Sequence, residues 1–327
     1  MINKSVRNIV ADSLIGLATG DAVGVPVEFL SRKQIRSLNI TDMIGIDTHP
    51  DFAPTHGQPA GTWSDDTSMT IAAMDAIARN NGRFTLGSVM RAFCDWWYNG
   101  LYCVDKPFDI GRTCLAAIQN FNNGTSPLNC ALFGLRDNGN GSLMRILPFA
   151  LTSIFKDAPF EDMGMNVCLA SCLTHGHGIS MLGCVIFTVF LSELLTCDSR
   201  AEAWDNTRHY DYGKYFGDKY FDADTMKAYE TLLSPDFVTL SDDVIGETGY
   251  VVDTLMAAVK SLLCTSTYED AIMYAVRLGF DTDTNAAVTG ALAGAYYGME
   301  AIPERWLAKL RKKDMLLDIA GRFASCF

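Results

Sequence analysis

The sequence is poor in positive charge. Among its 327 residues, 26 Lys and Arg stand against 38 Asp and Glu, so the formal net charge is −12 with His neutral. An acidic surface disfavours nucleic acid and anionic membranes as electrostatically driven partners. A phosphate-bearing ligand would need local help from helix N-termini, a few basic residues or metal ions. We therefore expect no nucleic-acid partner.

Signals for secretion, disulfides and membrane insertion are also missing. The first residues, MINKSVRNIVADSL, lack the apolar core and cleavage site of a signal peptide. None of the ten cysteines forms a CxxC pair or a Cys/His zinc pattern, and Cys168 and Cys172, four apart, suit core packing. The longest uncharged stretch, 173–192, has about 15 strongly apolar residues, short of the roughly 20 that span a bilayer. We expect a cytoplasmic protein without a membrane partner.

Helical periodicity dominates what is present. Apolar residues make up 49% of the chain and charged residues 20%, enough for a large core. Runs with the two-residue period of strands are scarce, and no fixed-period repeat is visible. One face of an opening helix carries Val6, Ile9, Val10, Ser13, Leu14 and Leu17. The fold class predicted is all-α, as one domain over residues 1–327.

Further helices are predicted from the same periodicity. The ranges are 65–80, 84–98, 112–121, 142–155, 161–174, 178–196, 223–233, 248–264, 267–279, 283–297 and 303–325, the last with a break near Lys312. Two stretches, 36–63 and 198–222, are predicted as loops: the first is rich in Pro, Gly, Asp and His, the second in Asp, Tyr and Lys. Small residues at the helix contacts favour close packing.

Two acidic motifs begin predicted helices. The first is WSDDT at 63–67 and the second is DTDTN at 281–285. Ser, Thr, Asp and Asn are favoured helix caps, and a first-turn carboxylate complements the helix dipole, so each Asp alone has a structural explanation. A helix N-terminus needs one capping oxygen, however, and not two carboxylates flanked by hydroxyls. If the two motifs converge, their oxygens suit Mg²⁺ or Mn²⁺ better than zinc.

Three further elements are weak signals one by one. GDAVGVPVE at 20–28 ends in a loop carboxylate that could serve as a general base. NGNGSLMR at 138–145 is a Gly-rich turn whose N–H groups could hold a pyrophosphate. THGH at 174–177 closes one helix before another starts, where a histidine is usually a cap or a core hydrogen-bonding residue.

Taken in order, GDAVGVPVEF, WSDDTSM, NGSLMR, THGH and DTDTNAA resemble the ADP-ribosylglycohydrolase family. The resemblance runs from about residue 8 to about residue 300. It implies a compact orthogonal multi-helix bundle with a cleft that holds two Mg²⁺ or Mn²⁺ ions.

The resemblance also implies roles for individual residues. Metal ligands would be Ser64, Asp65, Asp66, Asp281, Asp283 and Thr284, and catalysis would fall to Glu28, Asp66 and Asp283. Substrate contacts would come from Asp109, Asn140, Gly141, Ser142 and His175, with Asp109 facing a guanidinium. One departure stands out, because Phe280 occupies a position where the family usually has glycine.

The function implied is removal of ADP-ribose from a modified protein side chain, with arginine favoured as the acceptor. The partners would then be an ADP-ribosylated protein as substrate and ADP-ribose as product. Two other classes stay open. One is a metallohydrolase acting on ADP-ribosylserine, O-acetyl-ADP-ribose or a phosphate ester, and the other is a non-catalytic descendant that binds ADP-ribose.

Overall fold

The chain folds into α-helices joined by loops and short 3₁₀ turns. The computed structural model describes residues 5–49, 53–214, 216 and 221–327. Across those residues no β-strand forms, and extended pairing is limited to isolated bridges at Leu132–His175 and Gly139–Tyr250. The all-α prediction is confirmed. The helices are α1 Val6–Gly24, α2 Arg32–Leu38, α3 Asp65–Arg79, α4 Leu86–Asn99, α5 Arg112–Asn122, α6 Leu147–Phe155, α7 Phe160–Ser171, α8 Gly178–Thr196, α9 Arg200–Arg208, α10 Ala223–Ala228, α11 Glu230–Leu233, α12 Val251–Cys264, α13 Tyr268–Arg277, α14 Thr282–Tyr297, α15 Glu304–Lys309 and α16 Lys313–Ala324.

Helix α9 lies within the predicted loop 198–222, and α2, which was not predicted, extends into the predicted loop 36–63 at residues 36–38. Helix α2 starts at a capping box, in which the Ser31 backbone N–H donates to Gln34 Oε1 at 2.9 Å, and α9 starts at a Ser199 cap. The loop prediction was wrong there because both helices are short and polar, so apolar periodicity is weak. Residues 50–52 of the first stretch and residues 215 and 217–220 of the second lie outside the described residues.

Other helix boundaries also differ from the prediction. The predicted helix 142–155 starts only at Leu147, and 248–264 starts at Val251. The range 223–233 forms two short helices, α10 and α11. The predicted break in the last helix is confirmed, because Lys312 between α15 and α16 has a left-handed φ of 54°.

Helices α1 and α14 pack together along a seam of glycines at the centre of the fold. A Cβ added at Gly16 would lie 2.3 Å from the Gly290 carbonyl oxygen, and one at Gly20 would lie 2.1 Å from that of Ala286. A Cβ at Gly24 would lie 2.3 Å from Asp283 Cα. The two backbones therefore touch, and this contact holds the C-terminal end of α1 against the first turn of α14.

Two helical segments are long and apolar enough to cross a membrane by length and composition alone. They are Val6–Val27 and Gly178–Thr196, and an 18-residue apolar stretch in each is 89% and 78% buried inside the molecule, respectively. The second was expected to be too short, but the helix continues past Ser192 to Thr196. A mostly buried core helix passes the same test, so the finding is weak evidence for a membrane span.

Candidate active site

The N-terminus of α3 is capped without the use of its two carboxylates. Asp21, on α1, accepts from the backbone N–H groups of Ser64 at 2.9 Å and Thr67 at 3.0 Å. The Ser64 hydroxyl accepts from the Asp66 N–H at 3.3 Å. The carboxylates of Asp65 and Asp66 are therefore not needed as caps, and both are buried. The capping role of Asp21 was not expected from the sequence.

The N-terminus of α14 leaves a second pair of carboxylates available. Asp281 is the N-cap residue, yet its side chain makes no capping bond. Its Oδ2 instead accepts from the Asn140 amide at 2.9 Å. Asp283 accepts from the Thr284 N–H through Oδ1 at 2.8 Å, which leaves Oδ2 for another partner.

The two acidic motifs meet, although 218 positions separate Asp66 from Thr284. The Thr284 hydroxyl donates to Asp66 Oδ2 at 3.2 Å, and the Ser64 hydroxyl donates to the same oxygen at 3.1 Å. Ligand oxygens within 4.8 Å of one another come from Glu28, Asp281 and Asp283. Sequence spacing alone gave no information on this convergence.

The acidic cluster buries carboxylate oxygens without giving each of them a hydrogen-bond partner in the described part of the chain. Among the described residues, Asp66 Oδ1 and Asp283 Oδ2 are buried and have no hydrogen-bond partner. Burial, together with the neighbouring carboxylates, raises the pKa of Asp65, Asp66 and Asp283 well above the usual range. Buried oxygen donors without a counter-charge fit a hard divalent cation, and the absence of Cys or His among these donors disfavours zinc.

Glu28 lies beside the cluster on a loop that a second loop holds in place. It follows the 3₁₀ turn Val25–Val27 at the end of α1, and the Thr55 hydroxyl donates to its carbonyl oxygen at 2.6 Å. His56 Nε2 contacts Glu28 Oε2 directly and lies 3.5 Å from Asp109 Oδ1. Burial raises the pKa of Glu28 well above its usual range, and the negative charge of Asp109 is the second largest cause.

His56 is a functional candidate that the sequence analysis missed. A lone histidine in a loop carries no spacing pattern, and the available signal was a loop of 36–63 rich in Pro, Gly, Asp and His. Glu28, His56 and Asp109 form a second group whose ligand atoms lie within 4.8 Å of one another. Glu28 thus belongs to both groups of possible metal ligands, the one with Asp281 and Asp283 and the one with His56 and Asp109.

A cavity of about 540 Å³ opens onto these residues, a size within the usual range for small-molecule sites. Of the residues predicted for the site, those that line it are Glu28, Asp65, Asp109, Asn140, Gly141, His175, Asp281 and Thr284. Ser64, Asp66 and Asp283 are almost fully buried and do not belong to the lining.

Ser142, predicted to contact substrate, does not line the cavity. Its side chain is fully buried. Its hydroxyl accepts from Ser171 at 3.0 Å and lies 3.6 Å from Cys184 Sγ. The 3₁₀ turn Asn140–Ser142 directs this side chain into the core, so it supports the turn from below.

The Gly-rich turn is fixed to the start of α12. The Asn140 N–H donates to the Gly249 carbonyl at 3.0 Å, and the Val251 N–H donates to the Asn138 carbonyl at 3.1 Å. The Asn140 side-chain amide donates to Thr254 Oγ1 and to Asp281 Oδ2, both at 2.9 Å. Asn140 therefore links the turn to the acidic cluster, and only its remaining polar atoms are available to a ligand.

His175 lies under the turn and is neutral. Its Nδ1 is 2.8 Å from Thr174 Oγ1, which accepts from the buried Arg145 guanidinium at 2.7 Å. Burial is the main cause that lowers the pKa of His175 to about 3, and the positive charge of Arg145 lowers it further. A Cβ added at Gly141 would lie 2.7 Å from Cys114 Sγ and 2.9 Å from the imidazole, so a side chain there would force these groups to shift.

These features define an all-helical protein with a carboxylate-lined cleft between two helix N-termini. The chain belongs to the ADP-ribosylglycohydrolase family, whose model matches residues 3–327. The family resemblance of the sequence motifs is thereby confirmed, and the protein is an enzyme of the glycosidic-bond hydrolase class.

Individual relatives match nearly the whole chain. It is 31% identical over 316 residues to ADP-ribosylarginine hydrolase Tri1 of Serratia proteamaculans (strain 568), covering 94% of this chain and 76% of the relative. It is 27% identical to the ADP-ribosyl-dinitrogen reductase glycohydrolase of Rhodospirillum rubrum, covering 98% and 99%. A solved ADP-ribosylglycohydrolase-related protein complex matches the fold with a TM-score of 0.77 at 24% identity, covering 98% and 99%.

Proposed function

We propose that this enzyme releases ADP-ribose from arginine side chains of modified proteins by hydrolysing the N-glycosidic bond at C1″. The observation that carries this proposal is the pair of carboxylates, Glu28 and Asp109, in the lining of a cavity that opens onto the acidic cluster. A planar guanidinium pairs with carboxylates through two parallel hydrogen bonds. The similarity to an ADP-ribosylarginine hydrolase supports the same acceptor.

The proposed cofactors are two Mg²⁺ or Mn²⁺ ions. The oxygen donors of both motifs fit such ions, and the two unpartnered oxygens of Asp66 and Asp283 support their presence. The ligand set in this proposal is Ser64, Asp65, Asp66, Asp281, Asp283 and Thr284. When bound, divalent cations polarise substrate oxygens and make bound water more acidic.

Glu28 is the proposed proton carrier. Hydrolysis adds water across the C1″–N bond: the water oxygen bonds to C1″, and its proton ends on the departing guanidine, which leaves as guanidinium. The bond breaks through an oxocarbenium-like state, as in other glycoside cleavage. Glu28 takes the proton from water and passes it to the nitrogen, while His56 orients the Glu28 carboxylate through Oε2.

The other predicted residues bind and orient the substrate. Asp109 pairs with the guanidinium, and the backbone N–H of Gly141, in the turn that Asn140 fixes, contacts the phosphates. His175, neutral because of its low pKa, has one ring N–H to donate. We place the enzyme in the cytoplasm, since its ten cysteines are free thiols.

The test is incubation with proteins ADP-ribosylated on arginine and, separately, on serine, each with and without EDTA. We expect intact ADP-ribose to be released from the arginine-linked protein, and EDTA to stop the release. Faster release of ADP-ribose from the serine-linked protein would show that serine, and not arginine, is the preferred acceptor. AMP as product would contradict glycosidic cleavage, and binding without release would identify a non-catalytic descendant.

A further inference from the structure

Two phenylalanine rings stand at the edge of the cavity. Phe29 and Phe280 both line it, and they are 51% and 37% exposed. Their ring centroids lie 5.8 Å apart with the planes at 70°, an edge-to-face contact. Large apolar side chains this exposed recover little of the free energy that burial gives, so core packing does not account for their placement.

The backbone at both positions is unfavourable for a bulky residue. Phe29 has φ of 64° and Phe280 has φ of 62°, in the left-handed region where glycine is preferred. Two backbone hydrogen bonds hold this pair of segments together: the Phe29 N–H donates to the Phe280 carbonyl at 2.6 Å, and the Phe280 N–H donates to the Leu30 carbonyl at 2.7 Å. At position 280 a glycine would satisfy the same bonds without strain, so the ring itself needs an explanation.

The surroundings of the rings are acidic. Glu28 and Asp281 are the chain neighbours of Phe29 and Phe280, and both line the same cavity. An aromatic face attracts cations through its quadrupole, and a planar guanidinium stacks on it well. Apolar faces beside carboxylates therefore match a ligand group that is flat and positively charged.

We propose that Phe29 and Phe280 form the acceptor subsite, on which the guanidinium of ADP-ribosylarginine stacks while Asp109 pairs with its N–H groups. This inference rests on the proposed function and deepens it by naming two specificity-determining residues. Each ring touches the leaving group and not the ADP-ribose moiety. The adenine base is a second flat group that stacks on aromatic rings, and the test separates the two ligands.

The experiment uses Phe280→Leu, which keeps an apolar side chain and removes the aromatic face, with Phe280→Tyr as the matched control. We expect Phe280→Leu to lower kcat/KM for ADP-ribosylarginine about 3- to 30-fold, mainly through KM. Phe280→Tyr keeps the aromatic face and should lower kcat/KM less than Phe280→Leu does. The dissociation constant of free ADP-ribose, which has no acceptor, should be unchanged in both variants.

A third variant guards against a folding artefact. Phe280→Gly relieves the left-handed backbone, so its melting temperature should not fall, while its kcat/KM for ADP-ribosylarginine should fall as for Phe280→Leu. Weaker binding of free ADP-ribose by Phe280→Leu would assign the rings to adenine and overturn the proposal. If the parent enzyme is active and Phe280→Leu has the same kcat/KM for ADP-ribosylarginine, the acceptor subsite is overturned while the proposed function stands. A parent that leaves ADP-ribosylarginine intact would overturn the proposed function and the subsite together.

Discussion

Asp283 is the residue on which the acidic cluster depends most directly. Its Oδ2 is buried without a partner, and its Oδ1 accepts from the Thr284 N–H. We expect Asp283→Ala to abolish turnover and to weaken Mn²⁺ binding together, because both need the same oxygen. Asp283→Asn keeps an acceptor for Thr284 and serves as the fold-preserving version. Isothermal titration with Mn²⁺ and an ADP-ribose release assay check both effects.

The control for this prediction is Asp318→Ala. The Asp318 carboxylate lies on the surface of α16 and accepts a hydrogen bond from Arg322 Nε at 3.0 Å. The substitution removes the same charge from the chain but lies outside the cleft, so Mn²⁺ binding and turnover should match the parent. Retained Mg²⁺-dependent release of ADP-ribose by Asp283→Ala would remove this residue from the ligand set.

We propose that Glu28 and His56 act in series, which gives a second prediction. Glu28→Ala should slow hydrolysis about 10²- to 10⁴-fold, the usual contribution of a general base, while ADP-ribose still binds. His56→Ala should slow it less, because the carboxylate remains but loses its orienting contact. The double variant should be no slower than Glu28→Ala alone. Independent, additive losses in kcat would show that His56 works on the substrate directly.

The pairing of α1 with α14 gives the third prediction. A methyl group at Gly20 would lie 2.1 Å from the Ala286 carbonyl oxygen, so Gly20→Ala should lower the free energy of unfolding by about 1–3 kcal/mol. Mn²⁺ affinity should fall with it, because α14 carries Asp283. The matched control is Gly321→Ala on α16, where a Cβ meets no atom within 4 Å; it should stabilise by about 0.5–1 kcal/mol. Urea denaturation measures the free energy of unfolding of both variants.

The elements of the site differ in how far the sequence predicted them. The two acidic motifs were recognisable because two adjacent carboxylates exceed what a helix cap needs. The convergence of the two motifs could not be predicted, since it depends on a backbone contact at Gly24 between helices from opposite ends of the chain. The roles of Asp21 and His56 were missed because each is a single residue without a periodic pattern. The burial of the Ser142 side chain was not predicted, because a motif does not state which way a turn directs its side chain.

At the scale of the whole molecule, the cleft links the first and last thirds of the chain. Glu28 and Asp66 come from the first third and Asp283 from the last, so a cation bound among them binds the folded state and not the unfolded one. At 100 times its dissociation constant, such a ligand stabilises by about 2.7 kcal/mol. We expect Mg²⁺ or Mn²⁺ to raise the melting temperature by about 5 °C.

The same melting experiment has an internal check. Asp283→Asn removes one of the buried carboxylates whose pKa is raised, so without metal it should melt no lower than the parent. With metal, its melting temperature should not rise. An equal metal-induced rise in the parent and in Asp283→Asn would assign the stabilising cation to another part of the molecule.

We propose that the two acidic motifs together hold two divalent cations. Anomalous X-ray diffraction from a crystal of the parent protein soaked in Mn²⁺ tests it most directly. We expect two strong peaks in the cleft, in contact with carboxylate oxygens of Asp66 and Asp283. Peaks elsewhere on the acidic surface, with none between α3 and α14, would contradict it.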